Sequence, residues 1–333
     1  MKIRVVIGVC LVLAAMAVLL PSGAQRKVQA QSQGQAAGSG APRLANPLKV
    51  ALLKWYNANL VPTQFPVGNQ PYGMAFDGAN IWVAAFDGTV TKVRANDGDV
   101  LGTFQIGGAP YGVTFDGSSI WVSNLNGNVT KLRASDGKVL GTFSVGSNPG
   151  WMAFDGTDIW VPFGSNTVAK LRASDGSNAG IFTVGYSPIT ASFDGTNVWV
   201  ICGGSGGPGS ATKLRTSDGK VLGTFVVGYG PTGIAFDGAN MWIANRSSGT
   251  VSELDASDGT TIGTYTVKGS PYGIAFDGEN IWVTGAPYIN ELRARDGRLI
   301  GVLNPQATNT TGMAFDGANV WVSLLNTNMA GKL

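Results

Sequence analysis

The chain has 333 residues, 44% of them hydrophobic and only 13% charged, with 49 glycines, 9 tryptophans and no histidine. This hydrophobicity excludes disorder over most of the length. The missing histidine removes the usual general base at neutral pH, the Ser-His and Cys-His nucleophile pairs, and imidazole metal sites. The formal charge is +3, but setting aside Lys2, Arg4, Arg26 and Lys27 in the N-terminal segment leaves 19 basic residues against 20 acidic ones. That balance gives no electrostatic case for nucleic acid or an anionic membrane.

In chain order, Lys2 and Arg4 precede the apolar run Val5 to Leu20, which Pro21 closes. A positive n-region followed by such an h-region predicts a secretory signal over residues 1–30, and a secreted or periplasmic mature protein. The run has 16 residues, short of the roughly 20 of a membrane span. Cleavage is read after the small residues around Ser22 and Ala24 or around Val28 and Ala30. An uncleaved anchor is the alternative, and the only route to a membrane. Residues 31–47, rich in Gln, Ala, Gly and Ser, read as a flexible linker. Without the signal and its Cys10, Cys202 is the one cysteine left, so no intrachain disulfide can form.

Residues 48–333 are repetitive. Phe-Asp-Gly recurs at Phe76, Phe115, Phe154, Phe193, Phe236, Phe276 and Phe315, in steps of 39, 39, 39, 43, 40 and 39 residues. A tryptophan follows each copy in one register: Trp82, Trp121, Trp160, Trp199, Trp242, Trp282 and Trp321. A second Asp-Gly follows six of the copies, at Asp97, Asp136, Asp175, Asp218, Asp258 and Asp296. Each unit reads as four short strands, a to d, with Asp-Gly hairpin turns joining a to b and c to d. Four strands in about 40 residues is the repeat of a propeller blade. The expected fold is therefore an all-β, seven-bladed β-propeller. The last unit ends at Leu333 without a strand d, and Leu60 to Gly68 resembles one, so the N-terminal strand should complete blade seven. A monomer is expected.

Units such as Pro231-Thr-Gly-Ile-Ala-Phe-Asp-Gly-Ala-Asn-Met-Trp-Ile-Ala-Asn245 resemble the YVTN/NHL-type propeller repeats of exported bacterial proteins. They are also similar to those of the virginiamycin B lyase family of streptogramin-opening enzymes. The resemblance implies the seven-bladed ring over about residues 48–333. It also implies chemistry that relies on a catalytic histidine and an acidic partner near magnesium. With no histidine in this chain, no catalytic residue carries over.

The repeated aspartates read as turn residues rather than calcium ligands, because the clustered ligands of a calcium loop are missing. The repeated tryptophans read as core. The Lys-x-Arg pairs Lys92/Arg94, Lys131/Arg133, Lys170/Arg172 and Lys213/Arg215 read as a solvated, locally paired rim. No cofactor and no metal site are expected.

Connectivity places both Asp-Gly turns of a blade on one regular face. The b–c loops and d–a crossings form the opposite, variable face, where binding is expected. Its crossings should present Tyr72, Tyr111, Trp151 and Tyr272 as an aromatic arc on blades one to three and seven. Its loops should present Phe86, Asp87, Asn124, Phe163, Asn245, Arg246 and Tyr288, with Asp87 and Arg246 as its charges. Cys202, beside the glycine-rich insertion Gly203 to Gly209, is read either as a partly reachable thiol or as a small core residue.

Three functions stay open at this point. The first is a noncatalytic binding module for a neutral polar ligand, a glycan or a peptide, or for an envelope protein. The second is a lyase-like enzyme using Asp87, tyrosines or Cys202. The third is a structural envelope component.

Overall fold

The computed structural model of the protein describes residues 63–305 and 309–333; the signal and linker expectations lie outside these residues. Twenty-eight strands form seven antiparallel four-stranded sheets, and no helix occurs among the described residues.

Strand β1 (Thr63–Pro66) precedes blade one, which is β2 (Pro71–Phe76), β3 (Asn80–Ala85), β4 (Thr89–Arg94) and β5 (Val100–Gln105). Blade two is β6 (Pro110–Phe115), β7 (Ser119–Asn124), β8 (Asn128–Arg133) and β9 (Val139–Ser144). Blade three is β10 (Ala153–Phe154), β11 (Asp158–Phe163), β12 (Thr167–Arg172) and β13 (Asn178–Thr183). Blade four is β14 (Pro188–Phe193), β15 (Asn197–Cys202), β16 (Ser210–Arg215) and β17 (Val221–Val226). Blade five is β18 (Pro231–Phe236), β19 (Asn240–Asn245), β20 (Thr250–Asp255) and β21 (Thr261–Thr266). Blade six is β22 (Ser270–Phe276), β23 (Asn280–Ala286), β24 (Tyr288–Arg293) and β25 (Leu299–Leu303). Blade seven is β26 (Thr310–Phe315), β27 (Val320–Leu324), β28 (Met329–Lys332) and, from the other end of the chain, β1.

Burial follows the order of strands within a blade. Strand b is buried on both faces, as in Ser119–Asn124, where every residue is buried. The outermost strand d alternates exposed and half-buried residues, as in Val139–Ser144. Each repeated tryptophan lies in strand b and packs toward the following blade: Trp121 clusters with Met152, Ile159, Val161 and Leu171.

The ring closes as the sequence predicts. β1 pairs antiparallel with β28, placing Phe65 opposite Ala330. Phe65 also takes the place of the strand-d aromatics of other blades. It lies 5.4 Å from the Trp321 ring, as Phe143 lies 5.6 Å from Trp121. The innermost strands β26 and β2 pack side by side, and Thr311 Oγ1 donates to the Pro71 carbonyl at 3.1 Å.

Candidate functional site

The regular face holds the most conspicuous repeated residues of the sequence. In all seven blades the aspartate of Phe-Asp-Gly accepts the indole N–H of the tryptophan five residues on, at 2.7 Å. Its other oxygen accepts the backbone N–H groups two and three residues on, as Asp116 does from Ser118 and Ser119 at 2.8 and 2.6 Å. Burial by itself would raise the Asp77 carboxyl, but hydrogen bonds from Trp82, Asn80 and the Ala79 and Asn80 backbone hold it below its ordinary value. The aspartate thus closes the turn and also satisfies a buried indole, which fixes the spacing between the two residues.

The Lys-x-Arg pairs divide between two roles, which corrects half of the rim expectation. The arginines do reach solvent and pair locally: Arg94 with Asp97 at 2.7 Å, Arg215 with Asp218 at 2.8 Å. The lysines instead are largely buried. Lys92, Lys131 and Lys213 are 7–8% exposed. Each lays its stem on its blade's tryptophan, with Nζ 5.1–5.3 Å from the ring, and donates to carbonyls of the next blade's c–d turn. A long apolar stem with a charged tip can serve both contacts.

The variable face is arranged differently from the expected arc. Tyr272 lies on β22 of blade six, whereas blade seven has Thr311 at that position. Its ring reaches across to blade two, where the Tyr272 and Tyr111 hydroxyls are hydrogen-bonded at 2.7 Å. Trp151 stands 5.9 Å from Tyr111 and 6.0 Å from Tyr272, and Tyr72 stacks on Phe86 at 4.4 Å. The five rings therefore close on one another over the channel, each half-buried. Burial pushes the Tyr111 and Tyr272 hydroxyls above the usual phenol range.

The other expected site residues are dispersed. Asp87 is exposed, but its carboxylate is committed: it accepts Asn69 N–H at 2.6 Å and the Thr89 hydroxyl at 2.6 Å. Phe163 is half-buried, directly beside Gly146 of the d–a crossing, and Tyr288 is half-buried on β24. Asn124 and Asn245 are buried, donating to Thr130 at 3.2 Å and Ser252 at 2.9 Å. Cys202 is buried too, and burial pushes its thiol up to about 12. The expectation of a reachable thiol is thus replaced by its alternative, a core residue.

Arg246 is exposed, makes no ion pair among the described residues, and holds its guanidinium 5.7 Å from the Tyr272 ring centre. Lys268, on the crossing from β21 to β22, is a third charge on this face that the sequence reading passed over. Apart from Asp87, the acidic residues sit on the a–b and c–d turns or the strand ends leading into them, at the opposite face.

Beyond the ring cluster, three of the eleven expected residues, Tyr72, Tyr272 and Arg246, share a cavity. With Ser270, Thr310 and Thr311 they line this cavity, of about 120 Å³, at the channel mouth. Larger grooves, of about 510, 340 and 380 Å³, lie between blades on the regular face. Those grooves repeat at blade boundaries among turn residues and so follow from the repeat. The mouth cavity has a local cause: blades one to six carry a proline five residues before the Phe of Phe-Asp-Gly, followed by tyrosine in blades one, two and six, whereas blade seven has Thr310-Thr311 there. That substitution was visible in the sequence and would have pointed here.

Four buried side-chain polar atoms lack a partner among the described residues: Asn124 Oδ1, Trp151 Nε1, Asn245 Oδ1 and Thr310 Oγ1. All four belong to strand ends or crossings at the variable face. The magnesium implied by the lyase resemblance finds no fit here. Asp87, the one carboxylate on this face, is already engaged, and no group of three His, Cys, Asp or Glu gathers among the described residues.

These features define the class of the protein: a seven-bladed β-propeller with one turn face and one variable face. No protein-family model matches the chain, and no curated protein matches it in sequence. Among solved structures it is similar to Kuenenia stuttgartiensis hydrazine synthase, with a TM-score of 0.66 and 17% identity over 79% of this chain and 95% of that one. At that identity the likeness concerns the propeller fold alone.

Proposed function

We propose that this protein is an exported, noncatalytic binding propeller that takes a polar ligand, a glycan or a peptide segment, on its variable face. The observation that carries this reading is the location of the four partnerless buried polar atoms, all at one face. Buried polar groups are otherwise satisfied in folded proteins, and groups left open at one concave end are suited to an incoming ligand. Half-buried tyrosine and tryptophan rings beside them offer contact area at low entropic cost. The signal-like N-terminal segment supports secretion or a periplasmic location. The resemblance to exported YVTN/NHL-type and lyase-like propellers agrees with export. For lyase chemistry the chain has no histidine, an engaged Asp87 and a buried Cys202.

The test is a glycan and peptidoglycan array probed with the mature protein carrying a bulky maleimide label. The buried Cys202 leaves an introduced cysteine as the one reactive thiol. Labelling Ser247→Cys, on the variable face, should abolish the array signal, and labelling Ala79→Cys, in an a–b turn, should leave it. The opposite pattern would move the binding surface to the turn face.

A further inference from the structure

The mouth cavity carries a further inference, which rests on the binding reading and assigns its ligand a charge. We propose that the cavity seats the carboxylate of an acidic sugar residue. Arg246 supplies the cation. Its guanidinium is exposed, has no acidic partner, and is positioned by the Tyr272 ring. Such a planar fork matches a carboxylate with two parallel hydrogen bonds. Thr310 supplies the second donor: the residue lines the same cavity and is 2% exposed, and its buried Oγ1 has no partner among the described residues. Lys268, on the crossing that leads to Ser270, adds positive potential. The one carboxylate of this face is engaged elsewhere.

Size limits what can enter. About 120 Å³ is well below the roughly 300–1,000 Å³ of sites that enclose a whole ligand. The cavity therefore takes an end group, and the rest of the ligand lies across the mouth. The surroundings favour a sugar over a peptide C-terminus. Ser270 offers a hydroxyl and Tyr72 an aromatic ring. The neighbouring strands β22 and β26 are already paired within their own blades, and β26 also packs on β2. Each is the innermost strand of its sheet, and its outward edge is flanked by the innermost strands of the adjoining blades, which crowds out an added peptide strand.

The test is titration calorimetry of the mature protein with oligogalacturonate, its methyl ester, and a short peptide with a free or amidated C-terminus. The acid should bind, and esterification should weaken it at least about tenfold, as expected for losing hydrogen bonds to a charged group. Arg246→Gln should produce a similar loss with an unchanged melting temperature, and Thr310→Val a smaller one. Equal binding of acid and ester, or an unaffected Arg246→Gln, would overturn the carboxylate seat while leaving a neutral glycan on the same face. Preference for the free-C-terminus peptide would overturn the sugar assignment. Absence of binding in every arm would overturn the seat, and the labelled-cysteine array separately decides the broader reading.

Discussion

At the residue scale, the same glycine type serves two different turns. In the c–d turns, Gly98, Gly137, Gly176, Gly219, Gly259 and Gly297 have positive φ, and a Cβ at each would overlap an aromatic ring of the preceding strand d. At Gly137 that ring is Phe104. In the a–b turn, Gly117 has φ +92° with nothing near its missing Cβ. Gly117→Ala should therefore cost about 1–2 kcal/mol from backbone strain alone. Gly137→Ala should cost about 1–3 kcal/mol more from overpacking. Denaturant unfolding of the two variants checks this, and equal losses would contradict the interblade contact.

Glu253 occupies the position that is lysine in blades one to four, and its exception has a local reason. Blade five has Tyr265 where those blades have phenylalanine, and the Tyr265 hydroxyl donates to Glu253 at 2.7 Å. Burial is the largest influence on the Glu253 carboxyl and raises it above 4.5; the Tyr265 hydrogen bond works against that shift, and nearby Asp237 adds to it. A carboxyl raised on folding binds its proton more tightly in the folded state. Its stabilising contribution is thus present below the unfolded value and lost as pH rises through the folded one. Relative to Glu253→Gln, the native protein should lose stability as pH climbs from about 4 through the weakly acidic range. Parallel stability curves would show that Glu253 titrates without perturbation.

At the element scale, β1 contributes both a strand and an interblade side chain. Phe65 stacks near Trp321 and meets Gly98 of blade one, the contact that Phe104 makes with Trp82 and Gly137. Phe65→Ala should cost about 3 kcal/mol, the lower end for buried phenylalanine. Deleting residues 63–68 should abolish the single cooperative unfolding transition, and a truncated protein that melts unchanged would refute ring closure by β1. Much of this was legible in the sequence, because hairpin turns and strand periodicity are local: the Asp-Gly register placed every blade, and the missing last strand d pointed to Leu60–Gly68. The lysines were not legible. Strand alternation shows which side of the sheet Lys131 leaves, but not that the next blade's turn carbonyls lie within reach of its Nζ, 2.6 Å away at Ala173. Nor does it show why blade six also departs from lysine, with Glu291: the following blade, closed by β1, has no c–d turn to receive one.

At the scale of the whole molecule, the ring separates its chemistry by face. The turn face uses its aspartates internally, on backbone, indole and arginine partners. The variable face keeps Arg246 unpaired and concentrates the unsatisfied polar atoms. The connectivity that produces this division could be read from the sequence, since alternate loops of an antiparallel sheet fall at opposite ends. The grouping within the face could not, because it depends on distances across the channel. Tyr111 and Tyr272 are 161 residues apart, yet their hydroxyls meet. Asp87 was selected for its charge, which its turn consumes. The most direct measurement of the central claim is hydrogen–deuterium exchange with and without the ligand selected on the array. The account predicts slowed exchange at residues 245–250, 270–273 and 309–312, around the mouth cavity. Protection confined to the Asp-Gly turns, or to the outer strands d, would contradict it.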